Sequence, residues 1–144
     1  MAVTGWTYLS FPGNARDAMR LYHDVFGGEL SVMTYGDMKL EGMPFEPDPA
    51  SVAHATLNAD NLRIAGGDDP GLDAGSAMDS NVYSILLVLD SDAEARRLID
   101  AFIARGASMA MPYEEAPWGG TYGQVRDPFG VMWAFSAESA SQQE

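Results

Sequence analysis

One order of segments occurs twice along this chain. A β-like run is followed by an amphipathic helical stretch, a glycine stop and three further β-like runs, first from residue 7 and again from residue 82. Apolar side chains mark one face of each helical stretch, at Ala15, Ala18, Met19, Tyr22 and Phe26 and at Ala95, Leu98, Ile99, Phe102 and Ile103. The order predicts one α+β domain over 1–136, made of two βαβββ modules at about 1–66 and 81–136. A linker is expected over 67–80 and a polar tail over 137–144.

The starts of both predicted helices carry capping residues. Asn14 precedes the first helix, where its side chain can accept a hydrogen bond from a backbone N–H, and Asp17 suits the helix dipole. Ser91 with Glu94 three residues later has the spacing of a capping box before the second helix. We therefore expect Asn14 and Ser91 to cap the two helices.

Composition excludes several classes of protein. With 144 residues, of which 47% are hydrophobic and 20% charged, the chain is expected to fold as a globule. A net charge of −13 disfavours binding to nucleic acid or an anionic membrane, since both need clustered basic residues. The absence of cysteine excludes disulfides and thiolate chemistry. Because the longest strongly aliphatic run covers only 85–89, we expect a cytoplasmic protein.

Four segments together resemble the PhnB-like branch of the vicinal-oxygen-chelate superfamily of glyoxalases, ring-cleaving dioxygenases and bleomycin-resistance proteins. They are YLSFPGNARDA (8–18), LYHDVFGG (21–28), PWGGTYG (117–123) and DPFGVMW (127–133). The resemblance implies a glyoxalase/bleomycin-resistance fold, in which the two modules form a curled mixed sheet with helices outside and a central cavity. It also implies a homodimer. In the enzymes of the superfamily, the first and last strands of both modules supply His, Glu or Gln ligands to a divalent metal ion.

The resemblance places those four ligand positions on residues that are poor metal donors. They fall on Thr7 or a neighbour, near Ala65, near Ser84 and on Ala134. Divalent metal sites depend on imidazole, carboxylate or similarly strong donors, which these side chains lack. We therefore expect neither a metal nor another cofactor, and whether the protein is an enzyme stays open.

Other side chains are candidates for the wall of the cavity. His54 shares a strand face with Thr56, and is either a hydrogen-bonded sheet histidine or a cavity group that binds a ligand or carries a proton. Trp118, on a loop with Pro117 and two glycines, either stacks on a flat or cationic ligand or packs at a dimer interface. Tyr122 follows on the next strand.

These observations favour a metal-free PhnB-like protein that binds a small molecule in the cavity between its modules, for sequestration or resistance. Its ligand-binding candidates are Thr7, His54, Ala65, Ser84, Trp118, Tyr122 and Ala134. One alternative is a metal-dependent lyase, isomerase or dioxygenase with His54 as ligand or base. Another is a non-catalytic structural or regulatory dimer.

Overall fold

A computed structural model of the chain describes residues 2–38, 48–73 and 78–138. By its internal contacts the chain divides into two compact units, Met1–Ser76 (unit 1) and Ala77–Glu144 (unit 2). Parts of the predicted linker (74–77) and tail (139–144) lie outside the described residues. Within the described ranges, no helix is long and apolar enough to span a membrane.

Unit 1 is a four-stranded mixed sheet with one long helix. Its elements are β1 (Thr7–Phe11), α1 (Ala15–Phe26), β2 (Glu29–Thr34), the single turn α2 (Tyr35–Met38), β3 (Val52–Ala59) and β4 (Leu62–Asp68). The strand order is β1-β4-β3-β2. β1 and β4 are parallel, and the other neighbours are antiparallel. Among these elements of unit 1, α2 is the one that the sequence pattern does not predict.

Unit 2 repeats this arrangement. Its elements are β5 (Ile85–Leu89), α3 (Asp92–Ala104), β6 (Ser108–Glu115), β7 (Thr121–Arg126) and β8 (Met132–Ala137). The strand order is β5-β8-β7-β6, again with the first and last strands parallel. The α+β class and the duplicated βαβββ order are therefore confirmed, with the strands arranged as two four-stranded mixed sheets.

Each sheet packs one face on its own helix. In unit 1, α1 contacts β2, β3 and β4. Its buried Met19 and Tyr22 belong to a core that also includes Phe11, Leu57 and Ile64. In unit 2, the Phe102 ring on α3 lies 5.4 Å from the Trp133 ring on β8, centroid to centroid. Because alternate side chains of a strand point to opposite faces, each sheet presents its remaining side chains on a face that its helix does not cover.

The first helix is capped differently from the prediction. Asn14 makes no side-chain cap, and the Asp68 carboxylate instead accepts a 2.9 Å hydrogen bond from the Ala15 N–H. Parallel pairing aligns Asp68, the last residue of β4, with Phe11, the last residue of β1, so the carboxylate lies where α1 begins. The second prediction is confirmed, since the Ser91 hydroxyl accepts from the Glu94 N–H at 3.2 Å.

Candidate functional site

The uncovered face of unit 1 contains hydroxyl, imidazole and small side chains. Strand pairing brings Tyr8, Ala65 and Thr56 into one row, since Ala65 pairs with both of the others. His54 lies two residues before Thr56 and on the same face, while Ala55 and Leu57 are buried on the helix side. We call the following residues the open face of unit 1: Tyr8, Ser10, His54, Thr56, Ala65 and Gly67.

A stacked ring pair lies on this open face. The rings of Tyr8 and His54 stack with centroids 6.1 Å apart and planes inclined at 21°. A Cβ added to Gly67 would lie 3.3 Å from the Tyr8 hydroxyl and 2.7 Å from the backbone oxygen of Ala53. Because position 67 is glycine, the Tyr8 side chain has space to extend across β4 towards His54 on β3.

The open face of unit 2 has the same layout and a different chemistry. Leu86 and Gln124 both pair with Ala134 and form the first row, while Val88 and Tyr122 both pair with Ser136 and form the second. We call the following residues the open face of unit 2: Leu86, Val88, Tyr122, Gln124, Ala134 and Ser136. Leu86 and Val88 are 56% and 69% exposed, so this face presents aliphatic side chains where unit 1 presents hydroxyls.

Trp118 lies against this second open face. Its ring centroid is 5.7 Å from that of Tyr122, and the two planes are inclined at 69°. The Gln124 amide nitrogen donates a 3.0 Å hydrogen bond to the Tyr122 hydroxyl and so orients the phenol. Trp118 is 66% exposed. Arg126, on the same strand as Tyr122 and Gln124, donates hydrogen bonds to the Gly130 carbonyl and the Asn81 side chain.

Strand pairing shows which residues lie beside Ala65 and Ala134 on the neighbouring strands. Thr7 pairs with Ile64 on the helix side, and the neighbour of Ala65 on β1 is Tyr8. Ser84 is exposed and precedes β5, whose Leu86 is the neighbour of Ala134. Tyr8 is one residue from Thr7, and Leu86 is two residues from Ser84. Parallel register depends on three-dimensional packing, so these neighbours could not be read from the sequence alone.

These positions do not fit the divalent ion that the resemblance implies. Tyr8 supplies a phenol, while Ala65, Leu86 and Ala134 supply no donor atom in their side chains. Across the residues that the structure describes, no three His, Cys, Asp or Glu side chains are grouped so that they could hold a metal ion. Among the described residues, His54 therefore belongs to no group of side chains that could hold a metal ion.

Two concave regions of unit 1 lie at the start of α1. Their volumes are about 140 and 280 Å³, and both are lined by Gly13, Asp48, Ser51 and Asp68. The Asp68 carboxylate already accepts hydrogen bonds from two backbone N–H groups, so it serves the fold there. Burial raises the pKa of the adjacent Tyr35, and the nearby Tyr8, Asp69 and Asp68 raise it further. Tyr35 thus stays protonated and donates to the Asp68 carbonyl.

Comparison with known proteins identifies the family. The sequence matches the Glyoxalase/Bleomycin resistance protein/Dioxygenase superfamily over residues 7–135. The chain belongs to this superfamily. That range includes every residue of the two open faces except Ser136.

Individual relatives agree with this assignment. Protein YjdN of Escherichia coli K12 is 37% identical over 139 residues, covering 88% of this chain and 89% of YjdN. The crystal structure of protein PA1353 from Pseudomonas aeruginosa is 32% identical, with a TM-score of 0.77 and coverage of 95% of this chain and 98% of that one. A PhnB protein from Bacillus cereus, 21% identical over 94% of this chain and 99% of its own, has a TM-score of 0.72 and shows the fold alone. The predicted glyoxalase/bleomycin-resistance fold is therefore confirmed.

Proposed function

We propose that this superfamily member binds a small organic molecule on the open faces of its sheets without a metal ion, as a sequestering or resistance-like protein. The observation that carries the proposal is that each open face combines a buried small residue with an exposed aromatic side chain that lies on or against that face. Ala65 and Ala134 are 5% and 1% exposed, whereas Tyr8 and Trp118 are 54% and 66% exposed.

Physical chemistry supports binding at such faces. Large apolar and aromatic side chains left in contact with water mark surfaces that gain free energy when a ligand covers them. Small residues between them leave room for that ligand, and His54 and Gln124 add polar groups that can orient it. The donor set argues for metal-independent binding, because the positions nearest to the predicted ligand sites carry at most one phenol.

Amide chemical shifts test this proposal in the whole chain. The probes are a panel of neutral, anionic and cationic aromatic fragments, added to protein kept in EDTA and then to protein supplied with Mn²⁺ or Ni²⁺. We expect shifts at the amides of Ala65, Gly67 or Ala134 that are the same under both conditions. Binding that requires the added metal, or shifts confined to the α1 and α3 sides of the sheets, would contradict the proposal.

The two histidines offer a matched pair of variants. His54 is exposed on the open face of unit 1, whereas His23 lies on α1, where its ring nitrogen contacts the Gly28 carbonyl at 3.2 Å. For a fragment that shifts the Ala65 amide, His54→Ala should weaken binding and His23→Ala should leave it unchanged. Equal effects of the two substitutions would argue against a site at Tyr8 and His54.

A further inference from the structure

The geometry points to a binding site for an alkylated ammonium group, of the trimethylammonium type, at Trp118, Tyr122 and Glu114 of unit 2. We call these three residues the aromatic corner. The inference rests on the proposed function and names the chemical class of ligand that the open face of unit 2 would take.

Two aromatic rings form the walls of the corner. The indole of Trp118 and the phenol of Tyr122 meet at 69° with centroids 5.7 Å apart. The faces of such rings carry negative electrostatic potential, so a cation within about 6 Å of a centroid is attracted. Indole is the strongest of the three aromatic side chains in this respect, and Trp118 is 66% exposed.

The backbone holds Trp118 in place before any ligand arrives. The Ala116 N–H donates to the Gly120 carbonyl at 2.9 Å, and the Gly119 N–H donates to the Ala116 carbonyl at 3.0 Å. Gly119 and Gly120 adopt φ of 90° and 74°, which side chains other than glycine rarely tolerate. A Cβ at Gly120 would also lie 2.6 Å from the Ala137 carbonyl oxygen. The ligand would therefore order little of the loop on binding.

Glu114 adds a negative charge on the same side of the sheet. It is the register partner of Tyr122, and directly paired residues of antiparallel strands project from one face. The preceding Tyr113 points to the helix side, where its hydroxyl donates to Asp92 at 2.8 Å. The alternation thus places the Glu114 side chain on the same face as the Tyr122 ring, which the Trp118 ring contacts.

Cations of unit 2 that could compete for this corner make contacts elsewhere. Arg97 pairs with Glu94, Arg96 lies over the Tyr113 ring, and Arg126 bonds Gly130 and Asn81. An anion would be repelled by Glu114. A primary ammonium would need acceptors for three N–H donors. A trimethylammonium group is quaternary and has no N–H, so aromatic rings and one carboxylate suffice to attract it.

Choline and its uncharged isostere 3,3-dimethylbutan-1-ol test the inference directly. Each is titrated into the full chain while the indole N–H signal of Trp118 is followed by NMR. We expect choline to bind at least about fivefold more tightly than the alcohol, since the cation–π attraction requires the charge. Equal or tighter binding of the alcohol would overturn the inference and leave the proposed function standing. If choline, the alcohol and the whole fragment panel leave both open faces unshifted, both proposals fail.

Matched variants locate the effect. Trp118→Leu and Glu114→Gln should each weaken choline binding about fivefold, and Trp6→Leu and Glu115→Gln should not change it. Glu115 pairs with Thr121 and carries the same charge one residue along the strand. If Glu115→Gln weakened choline binding as much as Glu114→Gln did, the effect would come from general surface charge. That result would contradict a site at the aromatic corner. Because Trp118 and Glu114 are exposed, neither substitution should prevent folding.

Discussion

The two units use one layout of strands to present two kinds of surface. Equivalent positions in the pairing are occupied by Tyr8 and Leu86 and by Ala65 and Ala134. Similarly, Thr56 corresponds to Gln124, and His54 occupies the place of Tyr122. The small residue between the walls is alanine in both units. The walls beside it differ, since Tyr8, Thr56 and His54 carry hydroxyl and imidazole groups in unit 1, whereas unit 2 has the aliphatic Leu86 together with Gln124 and Tyr122. For the binding that we propose, the shared layout would supply the space and the wall residues would set the selectivity of each face.

The units also differ in how they use a buried carboxylate. Among the residues that the structure describes, Asp68 and Asp127 are the buried charged side chains, at 8% and 4% exposure. Asp68 joins distant segments, since it accepts from the N–H groups of Ala15 and Val52. Asp127 acts locally, within the turn that joins β7 to β8 and on the first residues of β8. Removing Asp68 should therefore weaken two distant segments of unit 1 together, whereas removing Asp127 should weaken one turn and the strand that follows it.

Asp127→Ala should have the largest effect. It leaves three donors without their acceptor, the N–H groups of Phe129 and Val131 and the indole N–H of Trp133. With the Trp133 ring fully buried, we expect a loss of about 3 kcal/mol in the free energy of unfolding. Urea denaturation measures it, with the exposed Asp90→Ala as control. A loss no larger than that of the control would show that Asp127 does not hold the turn.

Asp68→Ala should cost less and act over a longer range. We expect about 2 kcal/mol, because two backbone donors lose their partner and one of them starts α1. Native-state hydrogen exchange should show faster exchange at the first turn of α1 and at Val52 together. The neighbouring Asp69→Ala, whose side chain bonds only the exposed Gly71 N–H among the hydrogen bonds described, should leave both unchanged. Faster exchange at only one of the two places would contradict the long-range link.

Tyr113→Phe probes a contact of α3 and β6 in unit 2. Burial and the hydrogen bond to Asp92 raise the pKa of Tyr113 from 10.0 to about 12. The folded chain keeps the proton, so this stabilisation is present below pH 10 and is lost as the pH rises through about 12. At neutral pH the substitution should cost about 1.5 kcal/mol, the value of a hydrogen bond to a charged group. The tyrosinate absorbance should also lose a titration step near pH 12, and retention of that step would assign it to another tyrosine.

The smallest effect distinguishes the two helix starts. Ser91→Ala should cost about 1 kcal/mol, because the Ser91 hydroxyl caps α3. Asn14→Ala should cost less than about 0.5 kcal/mol, since Asp68 and not Asn14 caps α1. Thermal unfolding of the two variants provides the comparison. Equal losses would mean that Asn14 does cap α1 in solution.

Local chemistry explains what the sequence predicts well. The helical faces, the glycine stops and the Ser91 cap depend on residues close together in the chain, so their spacing is sufficient. The sequence left the role of His54 open, and the structure places it on the face opposite the helix because Ala55 and Leu57 are buried on the helix side. These features follow from the spacing of side chains along a helix or a strand, which can be read from neighbouring residues.

Features that depend on pairing between distant strands could not be predicted. The cap by Asp68 and the place of Tyr8 beside Ala65 both follow from the parallel register of β1 and β4. No sequence period encodes that register, because it is fixed by packing against α1. The position of Leu86 on the open face of unit 2 likewise depends on the parallel register of β5 and β8, so the sequence does not predict it. The signal that could have found Tyr8 is its alternation with the apolar Leu9 and Phe11.

Metal content is the measurement that tests the central claim most directly. Protein purified without a tag is analysed for bound elements and then titrated with Mn²⁺, Fe²⁺, Ni²⁺ and Zn²⁺ while its thermal unfolding is followed. An ion bound at a hundred times its Kd should stabilise the chain by about 2.7 kcal/mol, which such a scan resolves. Our account predicts no stoichiometric metal and no saturable stabilisation, because Tyr8, Ala65, Leu86 and Ala134 provide too few donors. One tightly bound ion per chain, with a stabilisation that His54→Ala removes, would contradict it.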